Sequence, residues 1–195
     1  MTLREPNREP HVFSIPKLNR ASLPEAVALL ELVTERSPWL AARLAALRPF
    51  YDIAALKAHL QREIMGLSPA QQLALVRAHP ELAPAAPDMM TAASQQEQHR
   101  LGLARPQPRE ADRLRRLNAA YQARFGFPFV IALHACADYA AMIAQFESRL
   151  RNPRAREITR ALSEVVSVAS ARLDRLTQPA QDARAPDFDS ERTDT

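Results

Sequence analysis

Residues 125–133, FGFPFVIAL, decide the fold class. The unbroken aromatic and β-branched run has the composition of a buried strand. A lone strand cannot satisfy its own backbone N–H and C=O groups, and no second strand-like run is present to pair with it. The segment is therefore read as a short buried helix with Pro128 at its first position, where a missing N–H costs nothing. The first N–H groups of such a helix lack internal partners and can donate to a ligand oxygen. With that run assigned to helix, the chain is expected to be all-α.

Outward from this segment, apolar residues recur at helical rather than strand spacing. Ser22 heads a helix to about Arg36, with Leu23, Val27, Leu30 and Val33 on one face and Pro24 in the first turn. Ser37-Pro38 opens a second, which Pro49 stops after Arg48. A third runs from about Asp52 to Met65 and closes at Gly66; Ser68-Pro69 opens a fourth, broken at His79-Pro80. The proline-rich stretch 81–93, ELAPAAPDMMTAA, reads as a surface connection. Later helices are expected at about 94–104, 109–124, 138–152 and 153–176. The sum is a single compact bundle of about eight helices over residues 17–177. A polar extension at 1–16 and an acidic tail at 178–195 read as flexible.

A chain of 195 residues can bury a core without disulfides or a structural metal. Cys136 is the only cysteine, which excludes an internal disulfide and a cysteine-rich zinc site. With three glycines and neither G-x-x-x-x-G-K-[ST] nor G-x-G-x-x-G, a P-loop or Rossmann nucleotide enzyme is excluded. Lys17 and Lys57 are the only lysines, so Schiff-base chemistry has few candidates. None of His11, His59, His79, His99 and His134 makes a metal-binding spacing, and no metal or cofactor is expected. No apolar run reaches the ~20 residues of a membrane span, and the N-terminus lacks the apolar core of a signal peptide; no membrane partner and a cytoplasmic location follow as expectations. The net charge of +4 is mild, and Arg113, Arg115 and Arg116 alternate with acids along a helix. A nucleic-acid binder would account for the basic balance, but it needs a clustered basic stripe and stacking aromatics, so no nucleic acid is expected as partner.

Three places invite chemistry. His79 ends a helix, where the dipole favours an imidazolium and Pro80 fixes the exit direction; a capping histidine and a functional one are both open. Ser94-Gln95-Gln96-Glu97 fits the S-x-x-E capping box, although Glu97 could serve as acid, base or acceptor if the helix start faces a cavity. On the last helix Ile158, Leu162, Val165, Ala169, Arg172 and Leu176 are spaced 4, 3, 4, 3, 4, which puts an arginine on the core-facing seam. There it needs a carboxylate or an anionic ligand, unless it snorkels out and Leu173 takes the core position.

Taken together, ERSPWLAARLAALRPF (35–50), AHPELA (78–83), SQQEQ (94–98) followed by Gly102-Leu103, LNAAYQARFGFPFVIA (117–132) and EITRALSEVVSVASARLDRL (157–176) resemble the 2-oxo-4-hydroxy-4-carboxy-5-ureidoimidazoline (OHCU) decarboxylase family over about residues 17–177. The resemblance implies an all-helical, cofactor-free, usually homodimeric enzyme of purine breakdown that converts OHCU into (S)-allantoin and carbon dioxide. By position it implies His79, Glu97 and Arg172 as catalytic residues. Pro80, Ser94, Gln95, Gln96, Gln98 and the segment Phe129, Val130, Ile131, Ala132, Leu133 would form the substrate-binding wall. The chain departs from the family pattern at His134, where a basic residue is usual, and in the proline-rich PAAPDMM after HPELA. The competing reading is a helical ligand-binding or scaffold module of the same fold without this activity.

Overall fold

A computed structural model describes residues 13–177, which form nine α-helices and two single 3-10 turns. The helices are α1 (Ile15–Arg20), α2 (Leu23–Glu31), α3 (Pro38–Ala45), α4 (Ile53–Met65), α5 (Pro69–Arg77), α6 (Ala92–His99), α7 (Pro108–Phe125), α8 (Tyr139–Arg149) and α9 (Arg154–Thr177). The 3-10 turns are Pro87–Met89 and Leu133–Ala135, and no strand occurs among the described residues. Local chemistry sets the helix starts. Asp52 accepts from Ala55 N at 2.7 Å, Ser68 from Gln71 N at 3.4 Å and Asp138 from Ala141 N at 2.7 Å, each satisfying an N–H that has no partner inside its helix. Gly126 closes α7 at φ +78°, a left-handed conformation in which a side chain would be strained.

Helix α9 packs against α4 and α5, and α2 pairs with α3. The seam on α9 carries Leu162, Val165, Val168, Ala169, Arg172 and Leu173 into the interior. Arg172 and Leu173 are both buried, so the choice between them does not arise. At the end of α5, Arg77 Nε donates to Gly126 O at 2.8 Å, tying the exit towards His79 to the end of α7.

Three expectations change. First, Phe13 is buried, and Ser14 Oγ accepts from Lys17 N to start α1, a short helix additional to those read from the pattern. Residues 1–12 and the tail 178–195 lie outside the described residues. Second, Pro128 does not open a helix; Phe127–Ala132 is irregular and, Pro128 apart, buried until the turn Leu133–Ala135. The objection to a lone strand is met by side chains in place of a neighbouring strand. Arg149 Nη1 donates to Val130 O at 2.8 Å, Ala132 N donates to Glu164 Oε2 at 2.8 Å, and Arg100 donates to Leu133 O and, at 2.8 Å, to Cys136 O. Third, Ser94 is no helix cap. Thr91 caps α6, accepting from Ser94 N at 3.2 Å, so the helix starts three residues earlier and ends at His99. Ser94 and Glu97 consequently stand inside the helix on its inner face.

Candidate active site

The ends of α5 and α9, the inner face of α6 and the irregular segment after α7 line a small cleft, about 40 Å³, open to solvent on one side. It is lined by His79, Pro80, Leu82, Ser94, Glu97, Gln98, Phe129, Val130, Ile131, Leu133, Val168 and Arg172. Ten of the thirteen residues singled out by sequence therefore meet at one place. Gln95 and Gln96 do not; they are exposed on the outer face of α6, because helical spacing turns them away from Ser94 and Glu97. Ala132 lies behind the wall, its N–H turned away to Glu164.

His79 both closes its helix and lines the cavity. Its Nδ1 is 3.0 Å from Leu75 O, the contact of a histidine closing a helix, while the ring is buried against the cavity. A carbonyl only accepts, so Nδ1 carries the hydrogen and Nε2 is left for the cavity. Burial holds the imidazole below its ordinary range, outweighing the opposing pull of the Leu75 carbonyl, Glu35 and Glu97, while Arg172 pushes the same way as burial. The helix end alone would favour the cation, but desolvation wins and the resting ring is neutral with a bare Nε2.

Arg172 meets protein carboxylates rather than snorkelling. Its Nε and Nη2 donate to the two oxygens of Glu97 at 2.9 Å each, Nη1 donates to Glu35 Oε2 at 2.9 Å, and Nη2 also donates to Ser94 Oγ at 3.2 Å. Arg175 Nη2 adds a bond to Glu97 Oε1 at 2.7 Å. Burial alone would push Glu97 up, but the hydrogen bonds and charge of Arg172, joined by Arg175, leave its carboxyl below the usual range. Burial pulls Arg172 down and its carboxylate partners more than restore it, so its pKa is raised and the guanidinium stays charged.

Gln98 serves the loop as well as the cavity. Its Oε1 accepts from Ala83 N at 2.8 Å and its Nε2 donates to Glu81 O at 2.9 Å, while Asn118 Nδ2 donates to Leu82 O at 2.8 Å. These bonds hold the chain just beyond His79-Pro80. The opposite wall is stiffened from behind by Arg149, whose guanidinium lies 4.5 Å from the Phe129 ring centre and pairs with buried Glu157. Glu157 also accepts from Tyr121 Oη and, at 2.6 Å, from Asn152 Nδ2.

Sequence reading missed Leu82, Val168 and Glu35. Val168 belongs to the α9 seam and could have been found by extending its period. Glu35 lies in the turn between α2 and α3, because α2 ends at Glu31 rather than at about Arg36; at the charged end of the helix read from sequence it carried no local signal of burial.

Among known families, the model of OHCU decarboxylase matches residues 19–174. The chain belongs to the OHCU decarboxylase family. It is 39% identical over 166 residues to the 2-oxo-4-hydroxy-4-carboxy-5-ureidoimidazoline decarboxylase of Bos taurus, covering 84% of this chain and 97% of that one. Against the protein of the same name from Halalkalicoccus jeotgali, identity is 35% over 168 residues, covering 86% and 93%. A crystal structure of (S)-allantoin synthase superposes with a TM-score of 0.66 at 24% identity, over 84% of this chain and 53% of that one, a likeness of fold. The OHCU decarboxylase match spans all four elements that build the cavity.

Proposed function

We propose that this chain decarboxylates OHCU to (S)-allantoin and carbon dioxide in urate breakdown, with His79 as the acid–base group. The observation that carries the assignment is the buried, neutral His79 with a bare Nε2 in one cavity with the Arg172–Glu97 pair. The alternative of a binding module without activity gives no reason to hold a proton-accepting nitrogen in that cavity.

The substrate supplies its own electron sink. When the carbon bearing hydroxyl and carboxylate loses CO₂, the bonding pair becomes a double bond to the ureido-bearing carbon, and the pair of the adjacent C=N moves to nitrogen, which takes a proton from solvent, the one net proton the reaction consumes. The resulting enol then becomes a carbonyl as the ureido-bearing carbon gains a proton on one face. His79 Nε2 takes the hydroxyl proton and returns it to that carbon, which ties chirality to the side on which the imidazole stands. Arg172, and the backbone amides of the 129–133 segment other than that of Ala132, hold the carbonyl and ureido groups. Glu97 keeps Arg172 in plane and biases His79, and the apolar wall of Phe129, Val130 and Val168 excludes water from the reacting carbon.

The catalytic unit is the helical domain, and a homodimer in the cytoplasm is part of the same proposal, drawn from the family resemblance; sedimentation of the purified chain tests the dimer. The activity test supplies freshly generated OHCU and follows CO₂ release and the handedness of allantoin. The wild type accelerates both over the spontaneous reaction, and His79→Asn, isosteric at Nδ1 but lacking Nε2, loses the acceleration and the (S) bias. Near-wild-type turnover in that variant would sink the role given to His79.

A further inference from the structure

Arg172 is more occupied than a substrate-binding arginine needs to be. Four of its five N–H groups go to Glu97, Ser94 and Glu35, which leaves one hydrogen, on Nη1. Glu35 is the least explained of these partners. Its side chain is fully buried, and it accepts from Arg172 Nη1, from Ser94 Oγ at 2.9 Å and from Thr91 Oγ1 at 2.9 and 3.0 Å. Those donors come from α9 and from the capped first turn of α6, two segments far from Glu35 and from each other in sequence. The turn that carries Glu35 is itself held by Ser37 Oγ, which donates to Glu35 O at 2.9 Å.

The charges add up in a particular way. Arg172 and Arg175 are balanced by Glu97 and Glu35, and with His79 neutral this cluster has no net charge. That balance suits a reaction in which a carboxylate disappears as CO₂. A surplus cation beside the scissile carboxylate would stabilise the ground state and lose that stabilisation as the charge moves off, raising the barrier.

We propose that Glu35 is a positioning residue of this active site: it fixes the Arg172 guanidinium and cancels its charge, so that Arg172 offers the substrate one directed N–H rather than a surplus positive charge. The inference rests on the decarboxylase assignment for its meaning, but its electrostatic content can be measured without turnover. Glu35 acts through Arg172 and need not touch substrate.

The test uses the full chain with Glu35→Gln and Glu35→Asp. Calorimetry compares affinity for neutral (S)-allantoin with affinity for its ring-opened carboxylate, allantoate. Glu35→Gln raises the allantoate-to-allantoin affinity ratio by about tenfold, lowers kcat for OHCU by about tenfold or more and lowers KM rather than raising it. Glu35→Asp keeps the charge but shortens the reach, so the ratio stays at the wild-type value while kcat falls. The acid limb of kcat/KM gives a further reading. His79 is faced by Glu35, Glu97 and Arg172, and removing the Glu35 charge moves that limb to lower pH. An unchanged ratio in Glu35→Gln, a raised KM with unchanged kcat, or wild-type kcat in Glu35→Asp would each overturn the proposal. If Glu35→Gln does not fold, Glu35→Asp decides alone. If the wild type shows no OHCU turnover, the decarboxylase assignment fails, while the affinity ratio still reports on Glu35.

Discussion

Two buried arginine clusters share α9, and they differ in what they leave open. In the first, Arg149 is paired with Glu157 and gives its remaining hydrogens to Val130 O and the Tyr121 hydroxyl, while Glu164 takes the N–H of Ala132. Every strong group there ends on protein. In the second, Arg172 is held by Glu35, Glu97 and Ser94 at the edge of a cavity, with one N–H and the Nε2 of His79 still without a protein partner. The same residue types thus do two jobs. The closed cluster satisfies the backbone of an irregular buried segment, and the open one leaves hydrogen-bonding groups facing a cavity. Burial of charge alone does not distinguish the two; the unfilled valences facing a cavity do.

The comparison can be broken from either side. The largest stability effect belongs to Arg149→Met, which leaves the fully buried Glu157 without its cation; a loss of about 3–5 kcal/mol in urea unfolding is expected. Arg172→Lys, by contrast, keeps a charge but loses the two-pronged contact with Glu97. It should lower kcat/KM by about two orders of magnitude while costing roughly 1 kcal/mol or less in unfolding, since Lys can still pair with Glu35 or Glu97. If both variants fail in the same measurement, the division between wall and site is wrong.

A smaller effect separates the clusters by titration. Because burial lowers the His79 pKa, kcat/KM should be flat at neutral pH and fall on an acid limb lying below the ordinary histidine value of about 6.5. The stability sign follows. The unfolded chain takes up a proton near pH 6.5 that the folded chain refuses, so His79's contribution is present above about pH 6.5 and is lost as pH falls through the lowered folded value. His79→Asn removes that acid-side loss, seen as a shallower decline of unfolding free energy between neutral and acid pH. An unaltered decline would place the titrating group elsewhere.

Much of the site could be read from the order of residues. The α9 seam put Arg172 inside because period 3.6 is a local property, and the break at His79-Pro80 put a histidine at a helix end for the same reason. The S-x-x-E pattern pointed to the right residues for the wrong reason. Thr91 supplies a cap three residues earlier, which turns Ser94 and Glu97 from terminal groups into groups facing the cavity. The FGFPFVIAL segment shows the opposite failure. The rule that a buried backbone must be satisfied held, but its partners are side chains from 100, 149 and 164, which no local pattern announces.

The sequence by itself determined the helical class, most of the helix starts, and the arginine on the buried seam, because these depend on contacts within a turn or two of chain. Only the tertiary structure decided that His79 is neutral, that Glu35 is buried and bonded to a residue 137 positions away, and that a non-helical segment lines the cavity. The physical reason is the range of the interactions. Periodicity is written along the chain, whereas desolvation and charge balance belong to whatever the fold brings within a few ångströms.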